Sequence, residues 1–349
     1  MVACLKKDNS DQGNSRKALF RYLRFAVGIT ILFFIIRHID FNKFLESMLK
    51  TNPWLMIIGL SHFPLLIFLA ILRWRSLLLQ YQPDSIPICL VARHYWIGLT
   101  LGFFSPASLG LDIYRVVVIS RRFGQYMINI AIVFIEKFMA LISCLAIIAF
   151  LYPLLPINLS PQVEQIHYLS QQILVILVLL SGIMIIVLRY HVVTGLLDII
   201  NTYIAKLFTR ISRKFAPHNE QETKHFLFTE ACKPFLSPVN LAIVFIISFG
   251  IQLVSAVKSQ IFFSALNFDL PFIVNMFITP ALYFIFTLPI SLGSLGIREG
   301  AYIILYGLFG VPAEVALLIS FFNLSGILLN NLIGGIVLLI TKTDTEIIN

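Results

Sequence analysis

Runs of about 20 apolar residues constrain this chain more than any other feature of its sequence. Of its 349 residues, 58% are hydrophobic and 12% are charged, and the mean hydropathy is +0.90. Soluble domains carry about 25% charged residues, whereas a helix needs about 20 consecutive apolar residues to cross the hydrocarbon core of a bilayer. The alternating segments of about ten residues that are typical of membrane β-barrels do not dominate. The sequence therefore predicts an all-α polytopic membrane protein.

The charges between the apolar runs predict the orientation of the chain. Lys and Arg collect in cytoplasmic loops, which explains the net charge of +9 without a nucleic-acid partner. On this basis the tail 1–19, the loop 189–237 and the tail 341–349 are cytoplasmic, and the cation-free loop 152–167 is outside. The sequence predicts one transmembrane domain over 20–340, with a first half (20–151), a second half (168–340) and about six full spans, near 20–38, 53–72, 125–151, 168–188, 238–257 and 312–340.

Two further apolar segments, 88–120 and 271–310, are interrupted by nearly the same motif. Residues 106–115 read PASLGLDIYR and residues 289–298 read PISLGSLGIR, with an Arg five positions after the Gly in both. Short apolar segments interrupted by Gly and Pro at corresponding positions of two halves are typical of transporters built from inverted repeats. The sequence predicts two broken or re-entrant helical hairpins in an inverted-repeat arrangement. Full crossings and a chance match of the motif remain the alternatives.

Polar residues at these two breaks are candidates for substrate binding. A helix that restarts after a break presents free N–H groups and a partial positive charge, which suit an anion. Serine can cap such an end, glycine permits close approach, and arginine forms paired hydrogen bonds to phosphate or carboxylate. The candidates on these grounds are Ser108, Gly110, Arg115, Ser291, Gly293, Gly296 and Arg298. Asp112 and Glu299 join them as the acidic residues near the two arginines.

Glu136 and Lys137 join this candidate set because they lie in the middle of the third predicted span. A charge at the bilayer centre costs about 2.5–3.5 kcal/mol even on insertion scales. Ion pairing that only stabilises the helix bundle is the alternative for this pair, and also for Arg298 with Glu299. For Arg115, the alternative is a side chain that extends to the cytoplasmic surface.

Other polar residues in the spans predict contacts between helices rather than chemistry. His62, Gln252, Asn323, Asn330 and Asn331 fit interhelical hydrogen bonds, and Ser325, Gly326, Gly334 and Gly335 fit close helix packing. The four cysteines and seven histidines show no metal-ligand spacing. The sequence therefore predicts no metal, no cofactor and no catalytic residue.

Four stretches resemble the lysylphosphatidylglycerol synthase/flippase transmembrane family. LPISLGSLGIREGAYIILY (288–306) and GLTLGFFSPASLGLDIYRVVVISRR (98–122) are similar to its two Pro-Gly segments, and FIEKF (134–138) and ILRWRSLLL (71–79) to two others. The resemblance covers roughly 20–340. Leu111 and Ser294 replace glycines of the family pattern, and Lys137 stands where Arg is usual. The resemblance points to Pro106, Gly110, Asp112, Arg115, Glu136, Pro289, Gly293, Gly296 and Glu299.

The resemblance implies a lipid flippase in a bacterial cytoplasmic membrane, without the aminoacyltransferase domain of the family's two-part members. The expected substrate is an anionic, aminoacylated or polyprenyl-phosphate-linked lipid. Two other functions stay open: an intramembrane lipid transferase, and a non-catalytic partner of a glycosyltransferase or another cell-envelope lipid enzyme. The expected partners are membrane lipids and a cytoplasmic lipid- or sugar-transferase, with a homodimer left open and no nucleic acid.

Overall fold

Helices make up nearly all of the part of the chain that the structure describes. The computed structural model describes residues 40–81, 86–103, 105, 109–155, 231–287 and 296–341, and the single positions 37, 172, 175, 179 and 182. No strand occurs among these residues. The prediction of an all-α protein with membrane-spanning helices is confirmed for this part of the chain.

The described helices alternate between long and short elements. In chain order they are α1 (Phe41–Leu49), α2 (Pro53–Tyr81), α3 (Ile88–Gly102), α4 (Leu109–Phe123), α5 (Tyr126–Leu151), α6 (Pro238–Ala265), α7 (Phe272–Thr287), α8 (Ile297–Gly307) and α9 (Ala313–Ile340).

Four of these helices, α2, α5, α6 and α9, are long and apolar enough to cross a membrane. They correspond to the predicted second, third, fifth and sixth spans. The predicted spans 20–38 and 168–188 lie outside the described residues, apart from a few single positions. The count of six spans therefore stays a prediction.

Two of the predicted spans lie within helices that continue past the predicted ends. The second span was expected to end before Arg73, but α2 continues to Tyr81, and the fifth was expected to end at 257, but α6 continues to Ala265. For the second span, the cation Arg73 was read as the polar end. Arg73 and Lys258 are instead buried inside these helices, with exposed fractions of 7% and 6%.

Two of the long helices begin at the same local signal, a capping residue followed by proline. The Oδ1 atom of Asn52 accepts hydrogen bonds from the N–H groups of Trp54 and Leu55, at 3.0 and 3.4 Å, and Pro53 opens α2. Ser237 accepts from the N–H of Asn240 at 3.3 Å, just before α6. Such caps satisfy N–H groups that have no partner within the helix, and proline loses nothing at the first helical position.

Both segments with a Pro-Gly motif form a pair of short helices. The pair α3 and α4 has 15 residues in each helix, and α7 and α8 have 16 and 11. At about 1.5 Å per residue these helices are about 16–24 Å long, whereas the hydrocarbon core is about 30 Å thick. Helix α7 packs against α8. The breaks lie where the sequence predicts them, and whether the pairs re-enter or cross stays a prediction.

The chain forms two compact units, and each one combines segments from both halves of the sequence. The first unit consists of Met1–Pro64, Trp96–Asp112 and Ser255–Val337. The second unit consists of Leu65–Tyr95, Ile113–Val254 and Leu338–Asn349. The turns of both short-helix pairs belong to the first unit.

Close packing in the first unit depends on a glycine of α9. A Cβ atom at Gly334 would overlap the carbonyl oxygen of Trp96 and the hydroxyl of Thr100, both on α3. The Thr100 hydroxyl donates a hydrogen bond to the carbonyl oxygen of Asn331 at 2.8 Å. At the next residue, Gly335, a Cβ would meet only the Thr100 methyl group, at an ordinary 4.0 Å. Small residues permit this kind of backbone approach between membrane helices.

Replacing Gly334 by alanine should therefore destabilise the protein, whereas the same change at Gly335 should not. The added methyl group of Gly334→Ala meets backbone that cannot move without shifting a helix, an overpacking cost of about 1–3 kcal/mol. Thermal unfolding of the two purified variants in the same detergent measures the difference. Equal melting temperatures for both would show that α3 and α9 do not pack this closely.

Candidate functional site

The structure describes eight of the candidate residues and divides them between the two units. Gly110, Asp112, Gly296, Arg298 and Glu299 belong to the first unit. The second unit holds the remaining three, which are Arg115, Glu136 and Lys137. Five candidates lie outside the described residues: Pro106, Ser108, Pro289, Ser291 and Gly293.

In the second unit, one buried carboxylate is shared by two arginines. Glu136 Oε1 accepts a hydrogen bond from an Arg73 guanidinium nitrogen at 2.8 Å, and Glu136 Oε2 accepts one from Arg115 at 2.9 Å. Arg73 also donates to the hydroxyl of Ser248 at 3.1 Å. These contacts join α2, α4, α5 and α6 through a single charged cluster, which we call the Glu136 cluster (Arg73, Arg115, Glu136 and Ser248).

Aromatic rings enclose Arg115 within the Glu136 cluster. Its guanidinium carbon lies 5.0 Å from the ring centroid of Trp74 and 5.2 Å from that of Tyr95, both within cation–π range. Arg115 is 2% exposed. It therefore does not extend to the cytoplasmic surface, and that alternative is wrong.

Glu136 does take part in ion pairing that stabilises helix packing, as one alternative proposed, but with partners that the sequence did not suggest. Both of its oxygens bond to arginines of other helices, while the neighbouring Lys137 is only half-buried. The participation of Arg73 was missed because a cation at the end of an apolar run is typical of a cytoplasmic boundary. The continuing apolar sequence could have revealed it, since Trp74, Leu77 and Leu78 are all buried on the same stretch of α2.

The turn of the first short-helix pair is held by Ser105, a residue that sequence reasoning did not select. Its hydroxyl accepts a hydrogen bond from the N–H of Gly110 at 2.7 Å, at the start of α4. An added Cβ at Gly110 would lie 2.9 Å from the Cα of Gly102 and 3.0 Å from the Ser105 oxygen. Glycine is thus required here for close approach of the chain to itself.

Asp112 is buried in the first turn of α4, where a carboxylate complements the positive end of the helix.

The second short-helix pair has a comparable start, but with a carboxylate as the cap. Gly296 precedes α8 with φ +79° and ψ −52°, a conformation that residues with a Cβ rarely adopt. Its N–H donates to Oε2 of Glu299 at 2.6 Å. Glu299 is 1% exposed, and this bond stabilises the first turn of its own helix.

Arg298 lies beside this cap and is buried among aromatic residues. It is 6% exposed, and its guanidinium carbon lies 5.9 Å from the ring centroid of Phe286 on α7. The Phe286 ring in turn stacks with Tyr302 of α8, with centroids 6.3 Å apart. The pair α7 and α8 therefore places a permanent positive charge directly after the helix break, beside an aromatic ring.

A hydrogen-bonded network stabilises the far end of the same helix pair. The Tyr306 hydroxyl donates to Oδ1 of Asn275 at 2.8 Å, and Nδ2 of Asn275 donates to Oε1 of Gln260 at 2.7 Å. Gln260 donates to the carbonyl oxygen of Leu270 at 2.9 Å. The network joins α6, α7 and α8 and fixes the position of α8.

No group of three metal-ligating side chains occurs in the part of the chain that the structure describes.

Loss of the shared carboxylate should strongly destabilise the protein. In Glu136→Gln, two buried guanidinium groups lose their charged partner, and breaking a buried ion pair costs about 3–5 kcal/mol. The matched control is Glu46→Gln on α1, where an exposed carboxylate bonds to Lys50 and little stability is at stake. Thermal unfolding should separate the two variants by many degrees. A wild-type melting temperature for Glu136→Gln would show that the cluster does not hold these helices together.

Comparison with known proteins agrees with the resemblance seen in the four sequence stretches. A model of the family described as "Lysylphosphatidylglycerol synthase TM region" matches residues 21–323, which is most of the chain. A comparison with curated proteins finds no match. The matched region includes the Glu136 cluster and the turns of both short-helix pairs. This chain therefore belongs to the lysylphosphatidylglycerol synthase transmembrane-region family.

Proposed function

We propose that this integral membrane protein translocates a lipid whose headgroup carries a phosphate. The proposal covers an anionic, aminoacylated or polyprenyl-phosphate-linked lipid, moved across a bacterial cytoplasmic membrane with both termini of the chain in the cytoplasm. The headgroup binds in the first unit at the start of α8, and the acyl chains stay in the bilayer. Pro289, Ser291 and Gly293 of the preceding motif are proposed to contribute to this site.

The burial of Arg298 is the observation that carries this proposal. An ionisable residue inside a membrane domain is a candidate for the substrate site by default. The neighbouring Glu299 accepts a hydrogen bond from the N–H of Gly296 and so stabilises the start of α8 beside Arg298. Guanidinium and phosphate form strong paired hydrogen bonds, and the start of a helix adds N–H groups and positive potential.

The shape of the helix pair supports the same function. Because α7 and α8 are both shorter than the hydrocarbon core is thick, the proposal places their break within the membrane rather than at its surface. Irregular backbone at that depth must be buried in protein or line a polar cavity. A break of this kind beside a buried cation is typical of the substrate sites of transporters. Gly110, Asp112 and the motif residues Pro106 and Ser108 are proposed to serve the same headgroup from the other short-helix pair.

In the second unit, the Glu136 cluster has a supporting function in this proposal. Arg115 is already bonded to Glu136 and enclosed by two aromatic rings. It is therefore suited to keeping α4 in place, and Glu136 and Lys137 act with it in the same way. Alternating exposure of the headgroup to the two sides, as in other inverted-repeat transporters, completes the proposed mechanism.

Replacing Arg298 should abolish most of the translocation. In liposomes that contain the purified protein and a fluorescent anionic phospholipid, Arg298→Gln should slow the appearance of label in the other leaflet by about 10- to 100-fold. This range corresponds to the loss of a charged hydrogen bond worth about 1.5–3 kcal/mol.

The control variant is Arg122→Gln, which removes an exposed arginine at the end of α4 and should leave the rate unchanged. Equal rates for wild type and Arg298→Gln, with both folded, would contradict the proposal. Turnover of a lipid-linked donor by the wild type, without translocation, would instead favour the transferase function.

A further inference from the structure

The short helix α1 carries an apolar face that the rest of the described chain leaves largely uncovered. Its apolar residues recur every three or four positions and so lie along one side of the helix: Phe41, Phe44, Leu45, Met48 and Leu49. No residue of α1 is buried, and the exposed fractions of Phe41 and Leu49 are 69% and 78%. An isolated helix of nine residues is marginal in water, so α1 depends on a partner for its apolar face.

Hydrogen bonds tie the end of α1 and the turn after it to the end of α6. The Asn52 N–H donates to the carbonyl oxygen of Ala265, the last residue of α6, at 2.8 Å. Nδ2 of Asn267 donates to the carbonyl oxygen of Lys50 at 3.4 Å. Helix α1 therefore has a fixed place beside the start of α2 and the end of α6.

The lengths of the long helices place these ends at the membrane surface. Helices α2, α6 and α9 have 29, 28 and 28 residues, and at about 1.5 Å per residue they are about 42–44 Å long. A bilayer is about 30 Å thick across its hydrocarbon core and about 40–45 Å thick with its headgroups. When these helices cross the membrane, their ends lie among the headgroups, and α1 lies there with them.

A ring contact shows which way the apolar face of α1 points. The Phe44 ring meets Phe321 of α9 edge-on, with centroids 6.0 Å apart. Phe321 lies eight positions after Ala313, the first residue of α9, which is about 12 Å along the helix. Phe63, further along α2, packs against Gly326, further along α9, so both helices run inward from the same side. The apolar face is thus directed toward the hydrocarbon core.

The exposed apolar surface continues from α1 into α2. Trp54 in the first turn of α2 is 74% exposed, and Ile57 and Ile58 on the next turn are exposed as well. Tryptophan is enriched at the boundary between headgroups and acyl chains. The start of α2 therefore meets lipid, and α1 adjoins it at the same level.

The charged residues of α1 and its cap are balanced by one another. Lys43 lies 3.8 Å from Asp40, and Lys50 pairs with Glu46. Two positive and two negative charges cancel over residues 40–50. Attraction to anionic lipids is one of the two forces that bind amphipathic helices to membranes, and the burial of apolar area is the other. Balanced charges leave apolar burial as the main force for α1.

We propose that α1 is an interfacial helix whose partner is the lipid bilayer. Phe41, Leu45 and Leu49 insert among the upper parts of the acyl chains, and the paired charges stay among the headgroups. The apolar face of such a helix lies about 5–10 Å into the boundary between headgroups and acyl chains. The contact does not require anionic lipid. This inference goes beyond the proposed function and does not depend on lipid translocation.

Labelling of engineered cysteines in the full chain tests the proposal. Cys4 and Cys89 are replaced by serine, whereas Cys144 and Cys232 are buried and are kept. A fluorophore is attached to one added cysteine at a time, and the same chain without an added cysteine gives the background. The labelled proteins are placed in phosphatidylcholine nanodiscs, which leave both membrane surfaces open to reagents.

Two quenchers then report the surroundings of each label. A lipid with a nitroxide near the headgroup end of its acyl chain should quench Leu45→Cys and Leu49→Cys at least about twofold more strongly than Asn42→Cys and Glu46→Cys, because opposite faces of a helix are about 10–12 Å apart. Iodide in the buffer should show the reverse order. Added phosphatidylglycerol should leave both patterns unchanged. If Leu49→Cys does not fold, Met48→Cys supplies the second position on the apolar face.

Three results would overturn the inference. Equal iodide quenching at all four positions would place α1 in water. Protection of the apolar-face labels from both quenchers would identify a protein as the partner, such as a second copy of this chain. Lipid quenching that appears only with phosphatidylglycerol would mean that charge holds the helix at the membrane. The pattern should persist in Arg298→Gln, so a failure of the proposed translocation leaves this inference standing.

Discussion

The sharing of the Glu136 carboxylate by two arginines is the interaction on which the second unit depends. A single carboxylate in an apolar interior would be unstable, and so would either guanidinium group. Together they form short, charge-assisted hydrogen bonds that replace water for all three groups. Because Arg73, Arg115 and Glu136 come from three helices, and Ser248 from a fourth, the cluster also specifies which helix faces meet. Apolar membrane helices lack a strong hydrophobic preference for one another, so polar contacts of this kind define the packing.

In the first unit, the constraint is the geometry of the helix breaks. Gly110 allows the chain to approach Gly102 closely, and Gly296 adopts a positive φ before α8. The cap that Glu299 provides joins a buried carboxylate to the backbone N–H of Gly296 at the start of α8. In the proposed function, Arg298 at this helix start binds the phosphate of a lipid headgroup.

Sequence reasoning located the helices that cross the membrane better than it located their ends. The runs that begin at Pro53 and Pro238 start where predicted, because a capping residue followed by proline is a local signal. The end of the first of these runs was placed at Arg73, since a cation that follows an apolar run normally marks the cytoplasmic surface. That rule considers the position of each charged residue in the sequence and takes no account of an ion-pair partner from another helix. The carboxylate that accommodates Arg73 lies 63 positions away in the sequence, and no local pattern indicates the pairing.

The sequence by itself determined the membrane class and the existence of two Pro-Gly breaks, because apolar length, proline and glycine act through local physics. Only the tertiary structure decided which charges are paired. Arg115 is enclosed by Trp74 and Tyr95, Glu299 caps its own helix, and Lys258 lies buried on an aromatic ring. These outcomes depend on side chains that distant segments bring within a few ångströms. Electrostatic energies fall with distance and rise sharply with burial. The pairing of these charges is therefore decided by packing and not by the order of residues along the chain.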